Sequence, residues 1–168
     1  MAYEVNIITN NTKGLVMKRA ETTAGYLYFS QIPKENDLKL LSLEDDGKPI
    51  DIIWNLAADA VRIIPMEKLW CTEVLAGEID DYSIPNNAET FHKQLNQVVS
   101  KLREGGKVFV HCVAGRGRTG MAIAAIKCML DDFSSEEALS FSKENCQGPE
   151  TNEQKFFIFI TNWKVILD

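Results

Sequence analysis

The stretch from Val108 to Leu130 limits the possible folds more than any other part of the chain. Val108, Phe109 and Val110 make a short apolar run of the kind that fills an interior strand. Met121 to Leu130 is apolar on nearly all sides, which predicts a helix buried in the centre of a domain. Between the two lies His111-Cys112-Val113-Ala114-Gly115-Arg116-Gly117-Arg118-Thr119-Gly120.

The flanking sequence fits an α/β architecture around that segment. Tyr26 to Phe29 and Ile50 to Leu56 are apolar runs bounded by turn residues, each readable as a buried strand, and a further strand is expected near Thr72 to Ala76. Lys34 to Leu43 has room for a short helix. After Pro85, Phe91, Leu95, Val98, Val99 and Leu102 place one apolar stripe on a helix that Gly105-Gly106 ends. Ser134-x-x-Glu137 and Thr151-x-x-Gln154 read as capping boxes opening two more helices, the last rich in Phe156, Phe157, Ile160 and Trp163. Glu44-Asp45-Asp46-Gly47 reads as a plain turn, and His92 as an exposed or helix-edge histidine. At the start, Tyr3, Val5 and Ile7 alternate, Asn10 to Gly14 supplies turn chemistry, and Leu15 and Met17 alternate again, so residues 1–24 are expected to form an arm or hairpin before a single domain over 25–168.

At 168 residues with 45% hydrophobic content, one core is enough to hold the chain. The net charge of -6 disfavours stable binding to polyanions such as duplex nucleic acid, so any phosphate binding has to be local. No run reaches the 18 or so apolar residues of a membrane span, and the start lacks the basic and apolar regions of a secretory signal. Cys71, Cys112, Cys128 and Cys146 are widely spaced with no Cys-x-x-Cys pair, which fits reduced thiols and a cytoplasmic location. Two histidines and no carboxylates clustered at ligand spacing leave no visible metal site, and no cofactor is expected.

A cysteine that ends a strand just ahead of a helix N-terminus meets the positive end of the helix dipole and a set of unpaired backbone N–H groups, which favours the thiolate. Five residues separate Cys112 from Arg118, enough for the backbone to curl around a tetrahedral anion with its amides inward; Gly115 and Gly117 allow the close approach. Arg118 can then close the ring with a planar fork that matches two phosphate oxygens, and Thr119 can aim its hydroxyl at the sulfur. His111 is better placed to orient the loop than to act as a base. Gly115-x-Gly117-x-x-Gly120 also satisfies the dinucleotide fingerprint, but the chain after the buried helix reads as helix where that motif needs a strand ending in an acid. Met121 stands where a Walker loop requires lysine. A merely structural cysteine in a glycine turn leaves two arginines beside it without a purpose.

These residues resemble the His-Cys-x5-Arg-Ser/Thr signature of the cysteine-dependent protein tyrosine and dual-specificity phosphatases, most of all the small atypical dual-specificity branch that includes kinase-associated phosphatase. The likeness extends weakly over Gly25 to Trp163, through Ser30-x-x-Pro33 and Trp54-Asn55-Leu56. It implies a single-domain α/β protein-phosphatase-like fold: a central, mostly parallel sheet flanked by helices, with the active-site loop between a central strand and a buried helix. It also implies Cys112 as nucleophile, Arg118, Thr119 and His111 as its catalytic companions, and a substrate cradle of Val113, Ala114, Gly115, Arg116, Gly117 and Arg118. The general acid of such enzymes is an aspartate upstream; in Asp80-Asp81-Tyr82-Ser83-Ile84-Pro85 the branch's Asp-x-x-x-Pro spacing selects Asp81, with Asp80 as the fallback and a solvated acidic turn as the alternative. Gln154 falls where the branch often carries a glutamine near the pocket, although a capping role with Thr151 explains it equally well.

The expected activity is metal-independent hydrolysis of phosphomonoesters through a phosphocysteine, on phosphotyrosine and phosphoserine or phosphothreonine of a protein. Arg116 keeps a phosphoinositide open as substrate, and RNA 5'-triphosphate is a further option within the superfamily. A phosphate-binding module without turnover is the alternative from another class.

Overall fold

The computed structural model describes residues 5–9 and 16–164. In chain order the strands are β1 (Val5–Thr9), β2 (Val16–Ala20), β3 (Tyr26–Ser30), β4 (Ile50–Ala57), β5 (Cys71–Ile79) and β6 (Lys107–His111). The helices are α1 (Glu35–Gly47), α2 (Ile64–Glu67), α3 (Ala88–Arg103), α4 (Gly117–Leu130), α5 (Ser135–Cys146) and α6 (Asn152–Ile160), with a 3-10 segment at Ala58–Ile63. One sheet of order β1-β2-β3-β6-β4-β5 contains all six strands. β3, β6, β4 and β5 run parallel, while β2 pairs antiparallel with both β1 and β3. The hairpin expected at the start therefore extends the edge of the main sheet; its turn, Asn10 to Gly14, lies outside the described residues.

The central strands are apolar at almost every position because both faces of the sheet are covered. Leu27, Phe29, Ile52, Trp54, Val108 and Val110 face a layer built from α3, α4, α5 and α6. Tyr28, Ile53 and Phe109 face the other way, onto Leu38 and Leu41 of α1. α4 is the helix predicted to be central, and all fourteen of its residues are buried. Burial of each large aliphatic side chain contributes about 1.5–3 kcal/mol, so Met121, Ile123 and Ile126 fix the axis of this helix, and with it the loop at its N-terminus.

Strand β5 is longer than its weak apolar pattern suggested, since β4 supplies its backbone partners from Cys71 to Ile79. One further expectation is corrected and another narrowed. Glu44-Asp45-Asp46-Gly47 does turn the chain, with positive φ at Asp45, Asp46 and Gly47, but it is not a plain solvated turn. The buried Asp45 carboxylate accepts from the Tyr28 hydroxyl at 2.8 Å and lies 3.3 Å from Nζ of Lys107, which is itself fully buried and donates to Leu41 O and Glu44 O at 2.9 Å. A buried lysine is tolerated only with such partners. His92 takes the helix-edge place and is half-buried: its ring packs among Phe91, Phe157 and Trp163, its Nε2 has no hydrogen-bond partner among the described residues, and burial pulls its pKa down.

Candidate active site

The register of the sheet sets the position of the site. His111, the last residue of β6, lies opposite Ser30 of β3 on one side and Asn55 of β4 on the other. Cys112 thus follows directly on the carboxyl end of β6, between the carboxyl ends of β3 and β4, where ligands bind in open α/β sheets. From there the chain turns through Gly115, whose φ is 73° and whose would-be Cβ meets Gln31 N at 2.6 Å, so only glycine fits. It then enters α4.

The sulfur of Cys112, a residue only 2% exposed, receives two donors: the Gly115 N–H at 3.2 Å and the Thr119 hydroxyl at 3.0 Å. Both donors complement negative charge on sulfur, and the amino end of α4 adds to that effect. Arg118, also 2% exposed, is anchored on the far side of the loop. One of its terminal nitrogens donates to Asp59 Oδ1 at 2.6 Å and to Ile79 O at 2.9 Å, and the other lies 3.4 Å from Asp81 Oδ1. The Arg118 guanidinium holds the Asp59 carboxyl below the usual carboxylate range.

His111 has its two ring nitrogens assigned by their neighbours. Nδ1 faces Cys112 O at 2.9 Å, and since a carbonyl only accepts, Nδ1 carries a hydrogen. Nε2 lies 2.8 Å from Glu67 Oε1, a contact that requires one proton between them. Both side chains are fully buried. The same Glu67 oxygen accepts from Asn55 Nδ2 at 3.1 Å, and Asn55 also donates to Ala60 O and accepts from Ala57 N. This network fastens the end of β6, directly before Cys112, to the turn after β4 that carries Asp59. Glu67 Oε2 has no hydrogen-bond partner among the described residues.

Asp81 sits in a loop between β5 and α3, 53% exposed at its side chain, with Tyr82 N–H on its Oδ1 at 3.0 Å. Of the two adjacent aspartates, it is Asp81 whose carboxylate reaches Arg118. Gln154 stands against the loop, where a Cβ added at Gly117 would meet its Oε1 at 3.0 Å and its Nε2 at 3.3 Å. Its Oε1 accepts from Glu150 N and Thr151 N, as a capping residue does, and its Nε2 donates to Ser83 O at 3.0 Å, tying α6 to the Asp81 loop. Ala114 and Arg116 are exposed on the rim, Val113 is half-buried, and Val113 O accepts from Ile32 N.

Three acidic residues at the site carry no motif. Asp59 and Glu67 are described above; the third, Glu150, accepts from the Gly117 N–H at 3.0 Å. One signal was available for Asp59, the first acid after the buried strand that the run Ile50 to Leu56 predicts. Glu67 and Glu150 had none.

Residues 27–130 match a family model described as "Polymorphic toxin system, DSP-PTPase phosphatase", and the chain belongs to that family. Among curated relatives it is 31% identical over 83 residues to the putative tyrosine phosphatase 197R of invertebrate iridescent virus 6, covering 48% of this chain and 30% of the relative. It is 33% identical over 118 residues to the tyrosine-protein phosphatase yvh1 of Schizosaccharomyces pombe, covering 68% of this chain and 33% of the relative. The chain thus spans about a third of the length of these two relatives. The crystal structure of Tk-PTP in its active form superposes with a TM-score of 0.66 at 26% identity, over 85% of this chain and 92% of that one.

Proposed function

We propose that this chain hydrolyses phosphomonoesters of proteins through a phosphocysteine on Cys112. The observation that carries the reading is the sulfur itself: it lies at the amino end of a buried helix with two donors pointing at it and Arg118 anchored in the same loop. Cys112 Sγ attacks phosphorus, forming an S–P bond while the bond from phosphorus to the leaving oxygen breaks. Asp81 gives its proton to that oxygen, because an alkoxide is a poor leaving group. The loop amides and the Arg118 fork hold the three remaining phosphoryl oxygens as charge builds on them. Water then attacks phosphorus, Asp81 takes its proton, and the S–P bond breaks with the Thr119 hydroxyl stabilising the departing sulfur. No metal or cofactor enters.

The substrates in this reading are phosphotyrosine and phosphoserine or phosphothreonine residues, met by a cradle whose rim residues Ala114 and Arg116 are exposed. Residues 25–168 are the catalytic unit, and the thiols belong to a reducing, cytoplasmic setting. A phosphoinositide is the second reading, favoured by the exposed guanidinium of Arg116 beside the loop. Among the described residues no helix is long and apolar enough to cross a membrane.

Asp81→Asn separates the acid from the rest. It is expected to lower kcat on a phosphoserine peptide by about 10²–10⁴-fold, and less on p-nitrophenyl phosphate, whose leaving group needs no proton. Asp80→Asn is expected to leave both rates near wild type. The reverse ranking would move the acid to Asp80, and two harmless variants would remove it from this loop.

A further inference from the structure

We infer that a groove between α5 and α6 receives acidic residues that flank the phosphorylated residue of the substrate. This rests on the protein-substrate reading above and names the class of sequence it selects.

The groove, with a volume of about 500 Å³, has Leu139 and Lys143 of α5 on one wall, Lys155 of α6 on the other, and Gln147, Gly148 and Pro149 as its floor. That floor is also packed against the phosphate loop. Gly148 lies so close to Arg116 O that no side chain fits there, and the next residue but one, Glu150, accepts the hydrogen bond of Gly117 N–H. An extended peptide with its phosphate in the loop therefore has this groove beside it, one loop's width away.

Charge argues for what fills it. The chain carries a net charge of -6, yet Lys143 and Lys155 are both exposed here, and neither has a carboxylate or hydrogen-bond partner among the described residues. On the other side of Gln147 a second hollow of about 340 Å³ is lined by Lys18 and Arg116, so cations continue around the same edge of the loop. Glu150 is the one carboxylate among the groove's lining residues, and its Oε1 is engaged by the loop amide. On the opposite edge, Asp59 and Asp81 at the ends of β4 and β5 are already held by Arg118, and Arg62 lies beside Asp59. An acidic flank is drawn to the unpartnered lysines on the α5 side, which sets the direction in which the peptide lies. Leu139 and Pro149 offer apolar contact to the stems of the flanking side chains.

The test compares two phosphotyrosine peptides, identical except that residues next to the phosphotyrosine are acidic in one and neutral in the other, with p-nitrophenyl phosphate as the substrate that has no flank. The wild-type chain is expected to favour the acidic peptide in kcat/KM, and to lose that preference at high salt. Lys143→Glu combined with Lys155→Glu is expected to lower kcat/KM for the acidic peptide by about tenfold while p-nitrophenyl phosphate turnover, which reports folding and chemistry, stays at the wild-type rate. Equal use of the two peptides by the wild type, or a preference that survives both charge reversals, overturns the inference. Turnover of p-nitrophenyl phosphate and of a phosphoinositide in vesicles, with neither peptide hydrolysed, overturns the protein-substrate reading and this inference with it.

Discussion

Cys112→Ser is expected to abolish hydrolysis of p-nitrophenyl phosphate, by at least about 10³-fold in kcat, in a protein that still folds and still binds inorganic phosphate. A serine hydroxyl fits the volume of the thiol and keeps the hydrogen bonds from Gly115 N–H and Thr119, but it is not an anion at neutral pH, and the loop holds no base to deprotonate it. The amides and Arg118 are unchanged, so the phosphate remains bound while the nucleophile is gone. EDTA is expected to have no effect on the wild type; sensitivity to the chelator, or a serine variant as fast as wild type, contradicts the mechanism. The same variant is expected to lose rapid labelling by iodoacetamide, because burial pushes Cys71 up to about 11 and Cys128 and Cys146 up to about 12, leaving them as thiols near neutral pH.

Arg118→Lys is expected to lower kcat by about 10²–10³-fold with a smaller change in KM. Lysine keeps the positive charge beside the sulfur but loses the planar fork. It cannot at once hold Asp59 Oδ1 and Ile79 O, which now position the guanidinium, and present two parallel donors to the phosphoryl oxygens. A point charge attracts the bound phosphate almost as well. The fork matters most where charge spreads over the equatorial oxygens in the transition state, which is why the loss is expected in kcat. A variant whose KM rises tenfold while kcat is kept would assign Arg118 to substrate capture alone. Steady-state kinetics on p-nitrophenyl phosphate distinguishes the two.

The parts of this account that could be read from sequence are those set by neighbours along the chain. The apolar run at Val108 to Val110, the glycines of the loop and the buried helix from Met121 are contiguous, so strand, loop and helix could be predicted in order together with the sulfur and its companions. Thr119 on the sulfur follows from the same short segment, since the first turn of α4 faces back across the loop to Cys112. What the sequence did not disclose depends on distant segments meeting. Glu67 is 44 positions from His111, Asp59 is 59 from Arg118, and Glu150 is 33 from Gly117. Each is an unremarkable acid until the sheet order places β4 beside β6 and the turn after α5 packs on the loop. Asp45 escaped notice for the same reason: its left-handed backbone is ordinary turn chemistry, whereas its role comes from Lys107 and Tyr28, brought in by other strands. That His92 is half-buried at the edge of α3 likewise depends on distant residues, since Phe157 and Trp163 cover it from outside the apolar stripe.

The central claim concerns a single bond, and rapid quenching of the enzyme during turnover of a ³²P-labelled phosphotyrosine peptide tests it most directly. The account predicts label on the peptide containing Cys112, with phosphorus bonded to sulfur; with ³²P-labelled p-nitrophenyl phosphate, whose leaving group needs no proton, more of it is expected in Asp81→Asn, where water is no longer activated. Label on any other residue, or turnover at full rate with no covalent intermediate formed, contradicts it.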